Sequence, residues 1–110
     1  MDKITEFAEM FKALSDPTRL RLINLLSSQP SGDCPGEICN GSGFLCVNAL
    51  AHRLGVTQSA VSQHLRVLRQ VGLVRGERHG TFMHYSLDKN GLAKYKAAIQ
   101  ETLGADLGID

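Results

Sequence analysis

A mainly α-helical chain carrying one small β-hairpin is predicted by three features of the 110-residue sequence. Apolar residues recur at helical spacing over most of its length, two short helical patterns are separated only by Gly55-Val56-Thr57, and the pattern changes to short extended runs between residues 73 and 87. The length suits a single domain, residues 1–110, around one core. Hydrophobic residues make up 43% and charged residues 21%, values of a globular rather than a disordered chain.

The first helix is expected over residues 1–14, where Ile4, Phe7, Ala8, Phe11 and Leu14 form an apolar stripe with Asp2, Lys3, Glu6, Glu9 and Lys12 largely off it. Asp16-Pro17 then pairs a good N-cap residue with proline at the first helical position. Leu20, Ile23, Leu25 and Leu26 follow on a second helix ending near Ser28. Between Ser27 and Gly43 lie two of the three prolines and four of the eleven glycines, so a long loop is expected there, and it holds Cys34 and Cys39.

A short helix is predicted from about Val47 to Leu54, with Gly55 as its left-handed stop. Thr57 is the expected N-cap of a longer helix from Gln58 to about Val71, stopped by Gly72. At 100° per residue, Val61, Leu65, Leu68 and Val71 share one side of that helix, while Ser59, Ser62, Gln63, Arg66 and Gln70 share the other. Leu73 to Arg78 and Thr81 to Leu87 read as two strands turning at His79-Gly80. Leu92, Tyr95, Ile99 and Leu103 mark a closing amphipathic helix over 91–103, with a loose tail after Gly104.

A short helix, a three-residue break containing glycine and a second helix with a polar face make a helix-turn-helix, here residues 47–71, and the hairpin at 73–87 would stand beside it as a wing. The net charge is only +1, but residues 51–87 contain five basic residues and one acidic residue. This concentration falls on the segment that would meet DNA. The polar helix face would enter the major groove with Thr57, Gln58, Ser59, Ser62, Gln63 and Arg66, while Arg75, Arg78 and His79 on the hairpin reach phosphates or a minor groove. Serine and glutamine contact base edges or phosphates, and arginine pairs bidentately with guanine. Periodicity alone leaves open a polar face that merely meets water.

Three stretches carry a resemblance. They are Ala13-Leu14-Ser15-Asp16-Pro17-Thr18-Arg19-Leu20-Arg21-Leu22, the run Leu50-Ala51-His52-Arg53-Leu54-Gly55-Val56-Thr57-Gln58-Ser59-Ala60-Val61-Ser62-Gln63-His64-Leu65, and Leu68-Arg69-Gln70-Val71-Gly72-Leu73-Val74. In this order they resemble the ArsR/SmtB family of winged helix-turn-helix repressors, and Gly80-Thr81-Phe82-Met83-His84-Tyr85-Ser86-Leu87 is similar to its wing. The resemblance implies a homodimer on double-stranded operator DNA, with two half-sites of an inverted repeat about one helical turn apart. It also implies that the flanking helices, 1–14 and 91–103, build the dimer interface; the same chain's core could equally cover their stripes. Many members are released from DNA by metals, metalloids or thiol oxidation.

An enzyme is not expected. The cysteines and His52, His64, His79 and His84 are the candidate nucleophiles and bases, but the histidines are spread over the motif helices and the wing, and no phosphate-binding glycine motif is present. A winged helix used only for protein contacts is a further alternative. No apolar run approaches the roughly 20 residues of a membrane span, and the N-terminal segment is acidic and amphipathic, so a cytoplasmic chain without membrane contact is expected.

Cys34, Cys39 and Cys46 all fall between the second helix and the motif, and an odd count of three argues against a disulfide-stapled scaffold. In the metal-sensing branch resembled here, a Cys-Val-Cys run supplies thiolates; Cys46-Val47-Asn48 keeps its first position and replaces the second cysteine with asparagine. Three thiolates form a soft-ligand set for As(III), Sb(III) or Cd(II) or, with a fourth ligand, Zn(II). Cys46 is also placed at a helix N-terminus, where the dipole favours thiolate. Thiol oxidation or a sulfide-responsive link is therefore a rival switch, and a structural zinc or three uncoupled thiols remain alternatives. The family's other common metal site uses Asp and His on the C-terminal helix, and residues 91–110 contain no histidine.

Overall fold

A computed structural model of the chain describes residues 2–28 and 45–104. Helix α1 spans Lys3–Leu14 and starts at Asp2, whose side chain accepts from the Thr5 amide at 2.7 Å. Helix α2, Pro17–Ser28, starts on Asp16 as the sequence predicts: one Asp16 carboxylate oxygen accepts from the amides of Thr18 at 2.8 Å and Arg19 at 3.1 Å. The cysteine-bearing loop expected after Ser28, and the tail after Gly104, lie outside the described residues.

Strand β1, Leu45–Cys46, runs directly into helix α3, Val47–Leu54, which Gly55 ends in the left-handed conformation at φ 67°. Helix α4, Gln58–Gln70, is capped by Thr57, whose hydroxyl oxygen accepts from the Ala60 amide at 3.1 Å. Strands β2, Val74–His79, and β3, Phe82–Leu87, form the hairpin, and helix α5, Lys89–Leu103, follows. The observed turn is Gly80-Thr81, one residue later than the expected His79-Gly80, because the ladder extends to the pair His79–Phe82 and Gly80 supplies the positive φ of 65°. Helix α5 begins at Lys89 because Asp88 caps it, accepting from the Gly91 amide at 3.0 Å.

The hairpin is part of a three-stranded antiparallel sheet in the order β1-β3-β2. β1 is an element the sequence did not announce, since two residues carry no period. It pairs Leu45 with Tyr85 and Cys46 with His84, tying the start of α3 to the wing. The core is built from Phe7, Met10 and Ala13 of α1, Leu22 and Leu26 of α2, Leu50 of α3, and Val61, Leu65 and Leu68 of α4, closed by Leu73, Val74, Tyr85, Tyr95 and Ala98. The α1 stripe proves to be two faces. Phe7 is buried with Met10 and Ala13, whereas Ile4 and Phe11 are 60% and 47% exposed. On α2 the buried pair is Leu22 and Leu26, and Leu20 is exposed. Both differences arise because a stripe read at 100° per residue marks every apolar position, whether it faces the chain's own core or projects outward.

Candidate nucleic-acid interface

The two sides of α4 separate as the periodicity predicts. Val61, Leu65 and Leu68 are completely buried, while Gln58, Ser59, Ser62, Gln63, Arg66, Arg69 and Gln70 are exposed. Polar side chains on this surface are therefore held by a helix whose other side is locked into the core, leaving their donors and acceptors available to a base edge. Thr57 is exposed, but its oxygen already accepts from the Ala60 amide, so its remaining capacity is the hydroxyl proton and one lone pair. Gly55 has the backbone conformation a non-glycine residue rarely takes, which permits the sharp entry from α3 into Thr57.

The wing adds an asymmetry that residue type alone does not reveal. Side chains alternate across a ladder, so Arg75 and Arg78, three residues apart, leave opposite faces of the sheet. Arg78 shares the face of Gly76, Met83 and Tyr85, and Tyr85 lines a cleft of about 480 Å³ with Ser62, Arg66, Arg69 and Gln70. Tyr85 and Met83 crowd over Gly76, where a Cβ would lie 2.9 Å from the Met83 methyl and 3.1 Å from the Tyr85 ring. Arg75 projects on the face of Glu77 and lies 3.4 Å from its carboxylate, an exposed pair. His79 ends β2. The cleft exposes an omission: Arg69 stands beside Arg66 on the same side of α4, and their i, i+3 spacing was the signal available in the sequence.

Of the three cysteines, Cys46 falls among the described residues; Cys34 and Cys39 lie outside them. Cys46 is the N-cap of α3, as expected, with extended backbone at φ −82° and ψ 165° and no side-chain capping bond to the helix. It is 1% exposed and is paired in register with the fully buried His84. Among the described residues, no three His, Cys, Asp or Glu side chains come together as a metal-ligand group. Among the other histidines, His52 is exposed on α3, and His64 is half-buried beside Arg19.

This arrangement has relatives. Residues 40–75 match the family described as bacterial regulatory protein, arsR family. The crystal structure of a possible transcriptional regulator for arsenical resistance superposes with a TM-score of 0.65 at 36% identity, covering 89% of this chain and 85% of that one. The chain belongs to the ArsR family. A Synechocystis sp. protein named transcriptional repressor SmtB homolog is 40% identical to this ArsR-family chain over 90 residues, which is 82% of this chain and 58% of that protein. The chain thus spans little more than half of that relative's length. The solution structure of the homodimeric winged helix-turn-helix DNA-binding domain Mb0332 from Mycobacterium bovis is similar at a TM-score of 0.65 and 26% identity, over 92% of this chain and 81% of that one. The fold is the winged helix-turn-helix of ArsR-family transcriptional regulators.

Proposed function

We propose that residues 1–110 act as one winged helix-turn-helix unit, a homodimeric repressor that binds operator DNA and is released by thiol chemistry. Residues 47–71 form its reading motif, 73–87 its wing, and 1–14 and 91–103 its dimer helices. The observation that carries the DNA reading is the division of α4 into a fully buried Val61-Leu65-Leu68 side and an exposed Ser59-Ser62-Gln63-Arg66 side. A helix anchored in this way can enter a major groove without giving up its core packing. Thr57 and Gln58 approach the groove at the N-terminus of α4, and Arg75, Arg78 and His79 act from the wing.

Support for the homodimer comes from the outward apolar side of α1, where Ile4 and Phe11 are exposed together with Leu103 of α5, and from the homodimeric similar domain of Mycobacterium bovis. Two copies related by a two-fold axis present two reading helices to an inverted repeat. No helix among the described residues is long and apolar enough to cross a membrane, and a partner such as DNA suits a cytoplasmic protein.

Release is assigned to Cys34, Cys39 and Cys46, whose thiolates suit As(III), Sb(III), Cd(II) or Zn(II). The arsenical-resistance name of a similar structure supports a soft ion. Oxidation or a sulfide link at the same thiols is the alternative. The DNA reading is tested by in vitro selection from a random duplex library with the full chain, followed by footprinting. The expected result is an enriched inverted repeat protected on both half-sites; no enrichment and no duplex binding at low salt would sink it.

A further inference from the structure

One guanidinium joins three segments at the back of α4. Arg19, in the first turn of α2, donates from Nε to the Ala13 carbonyl near the end of α1 at 2.5 Å, and its Nη1 lies 3.2 Å from Nδ1 of His64 on α4. The same residue is fixed at its backbone, since the Arg19 amide donates to the Asp16 carboxylate at 3.1 Å. A guanidinium only donates hydrogen bonds, so Nδ1 of His64 is the bare, accepting nitrogen and Nε2 carries the ring proton.

The apolar side of α4 holds the helix to the core, but the hydrophobic effect is itself non-directional, so a directional contact adds to what fixes the helix's rotation. A planar fork anchored on a backbone carbonyl and on one ring nitrogen is directional. His64 is flanked by Ser62, Gln63 and Arg66, so a rotation that displaces His64 displaces all three from their positions. We infer that Arg19 is a positioning residue for DNA reading, fixing through His64 the rotation of α4 and the direction in which Ser62, Gln63 and Arg66 project. The inference rests on α4 being the reading helix.

The Asp16 carboxylate at the start of α2 steadies the same residue: donation from the Arg19 backbone amide is the chief cause that holds the Asp16 carboxyl below its ordinary value.

The test uses the full chain and a fluorescein-labelled duplex enriched by selection from a random library. Ring ¹⁵N–¹H correlation of His64 should show the Nε2–H tautomer in wild type. Arg19→Lys, which keeps the charge and loses the fork, should weaken duplex binding about tenfold, the scale of one hydrogen bond to a charged group, while thermal melting stays close to wild type. His64→Asn places an amide oxygen where Nδ1 accepts, so it keeps an acceptor for the Arg19 fork and should bind within about twofold of wild type. A wild-type Nδ1–H tautomer overturns the positioning role, as does an Arg19→Lys variant with wild-type affinity. A chain that binds no duplex instead sinks the DNA reading, and this inference with it.

Discussion

Tyr95 of α5 donates its hydroxyl to the carbonyl of Val71, 2.5 Å away, at the point where α4 ends. Two further contacts lie beside it: the Asp88 amide donates to the Leu73 carbonyl at 2.9 Å, and the α5 backbone at Gly91 lies directly against the Gly72 carbonyl. The last helix is therefore fastened to the turn between the proposed reading helix and the wing. A displacement of α5 is felt at the C-terminal end of α4 as well as in the core that Tyr95 and Ala98 help to close.

Tyr95→Phe removes the donor and leaves the ring's packing in place. Unfolding in urea should show a loss of about 1 kcal/mol, the net value of one neutral hydrogen bond, with the slope against denaturant unchanged. Burial, then the Glu6 charge, raise the Tyr95 pKa, and Lys94 opposes them. Because the folded value lies above the unfolded one, this contribution is complete below the ordinary tyrosine value and is lost as pH rises through the raised one. The phenylalanine variant should lack that part of the alkaline decline; an identical decline in both proteins would show that Tyr95 does not titrate with unfolding.

Gly91→Ala should destabilise the chain although it improves helix propensity. A Cβ at Gly91 would overlap the Gly72 carbonyl oxygen, a backbone atom that cannot swing aside. Overpacking against the turn should cost about 2 kcal/mol and outweigh the roughly 1 kcal/mol that alanine gains in a helix. A rise in melting temperature would mean that α5 does not dock on this turn.

The close approach at Gly91 shows where the sequence was legible and where it stopped. Among the described residues, periodicity disclosed the five helices, and the cap residues Asp16, Thr57 and Gly55 placed three of their ends, because a cap is a local chemical requirement. Strand β1 was silent because two residues have no period, and its partner His84 is distant in sequence. Division of α1 into core and outward faces was equally hidden, since Ile4 and Phe7 are alike as residue types and differ only in what covers them. For the candidate site, exposure of the polar face on α4 was readable. The separation of Arg75 from Arg78 required the ladder register, and the link from Arg19 to His64 joins residues 45 positions apart.

Asp16 should make folding sensitive to acid. Its carboxyl titrates below the ordinary value chiefly because the Arg19 amide donates to it. Stability from this cap is therefore complete above the ordinary carboxylate value and is lost as pH falls through the lower folded one. Asp16→Asn retains an oxygen acceptor at the N-cap without the titration. Thermal melts across the acid range should show a shallower decline for this variant than for wild type; parallel declines would locate the acid sensitivity elsewhere.

On DNA, the two classes of arginine should separate. Arg66→Ala should cost roughly 1 to 3 kcal/mol on the selected duplex and relax preference at one base position, with melting unchanged. Arg78→Ala should weaken selected and unrelated duplexes alike and lower the slope of log affinity against log salt by about one. Arg75, on the other face and beside Glu77, should lower that slope less. Equal changes in slope for Arg75→Ala and Arg78→Ala would remove the distinction between the two faces, and wild-type affinity in Arg66→Ala would take that residue off the reading surface.

Effector release should act through Cys46 because this residue belongs to two elements at once. It ends β1, opposite His84 in the wing strand, and it is the N-cap from which α3 starts. Drawing its thiolate toward an ion shared with Cys34 and Cys39 would pull on the wing and on the helix supporting α4 together. An effector can release DNA only by as much as it prefers the altered state, so DNA must weaken effector binding by the same factor. Arsenite, Cd(II), Zn(II) and a polysulfide should each be titrated against the preformed duplex complex, with wild type and with a Cys34→Ser, Cys39→Ser, Cys46→Ser variant. Serine is a favoured N-cap and can supply the capping bond that Cys46 does not make, so the substitution there should keep the start of α3 and leave duplex affinity near wild type in the absence of effector. At least one effector should release wild type while the variant stays bound. Identical release curves with all four would show that the thiols are not the sensor, and release by polysulfide alone would select covalent thiol chemistry over ion binding.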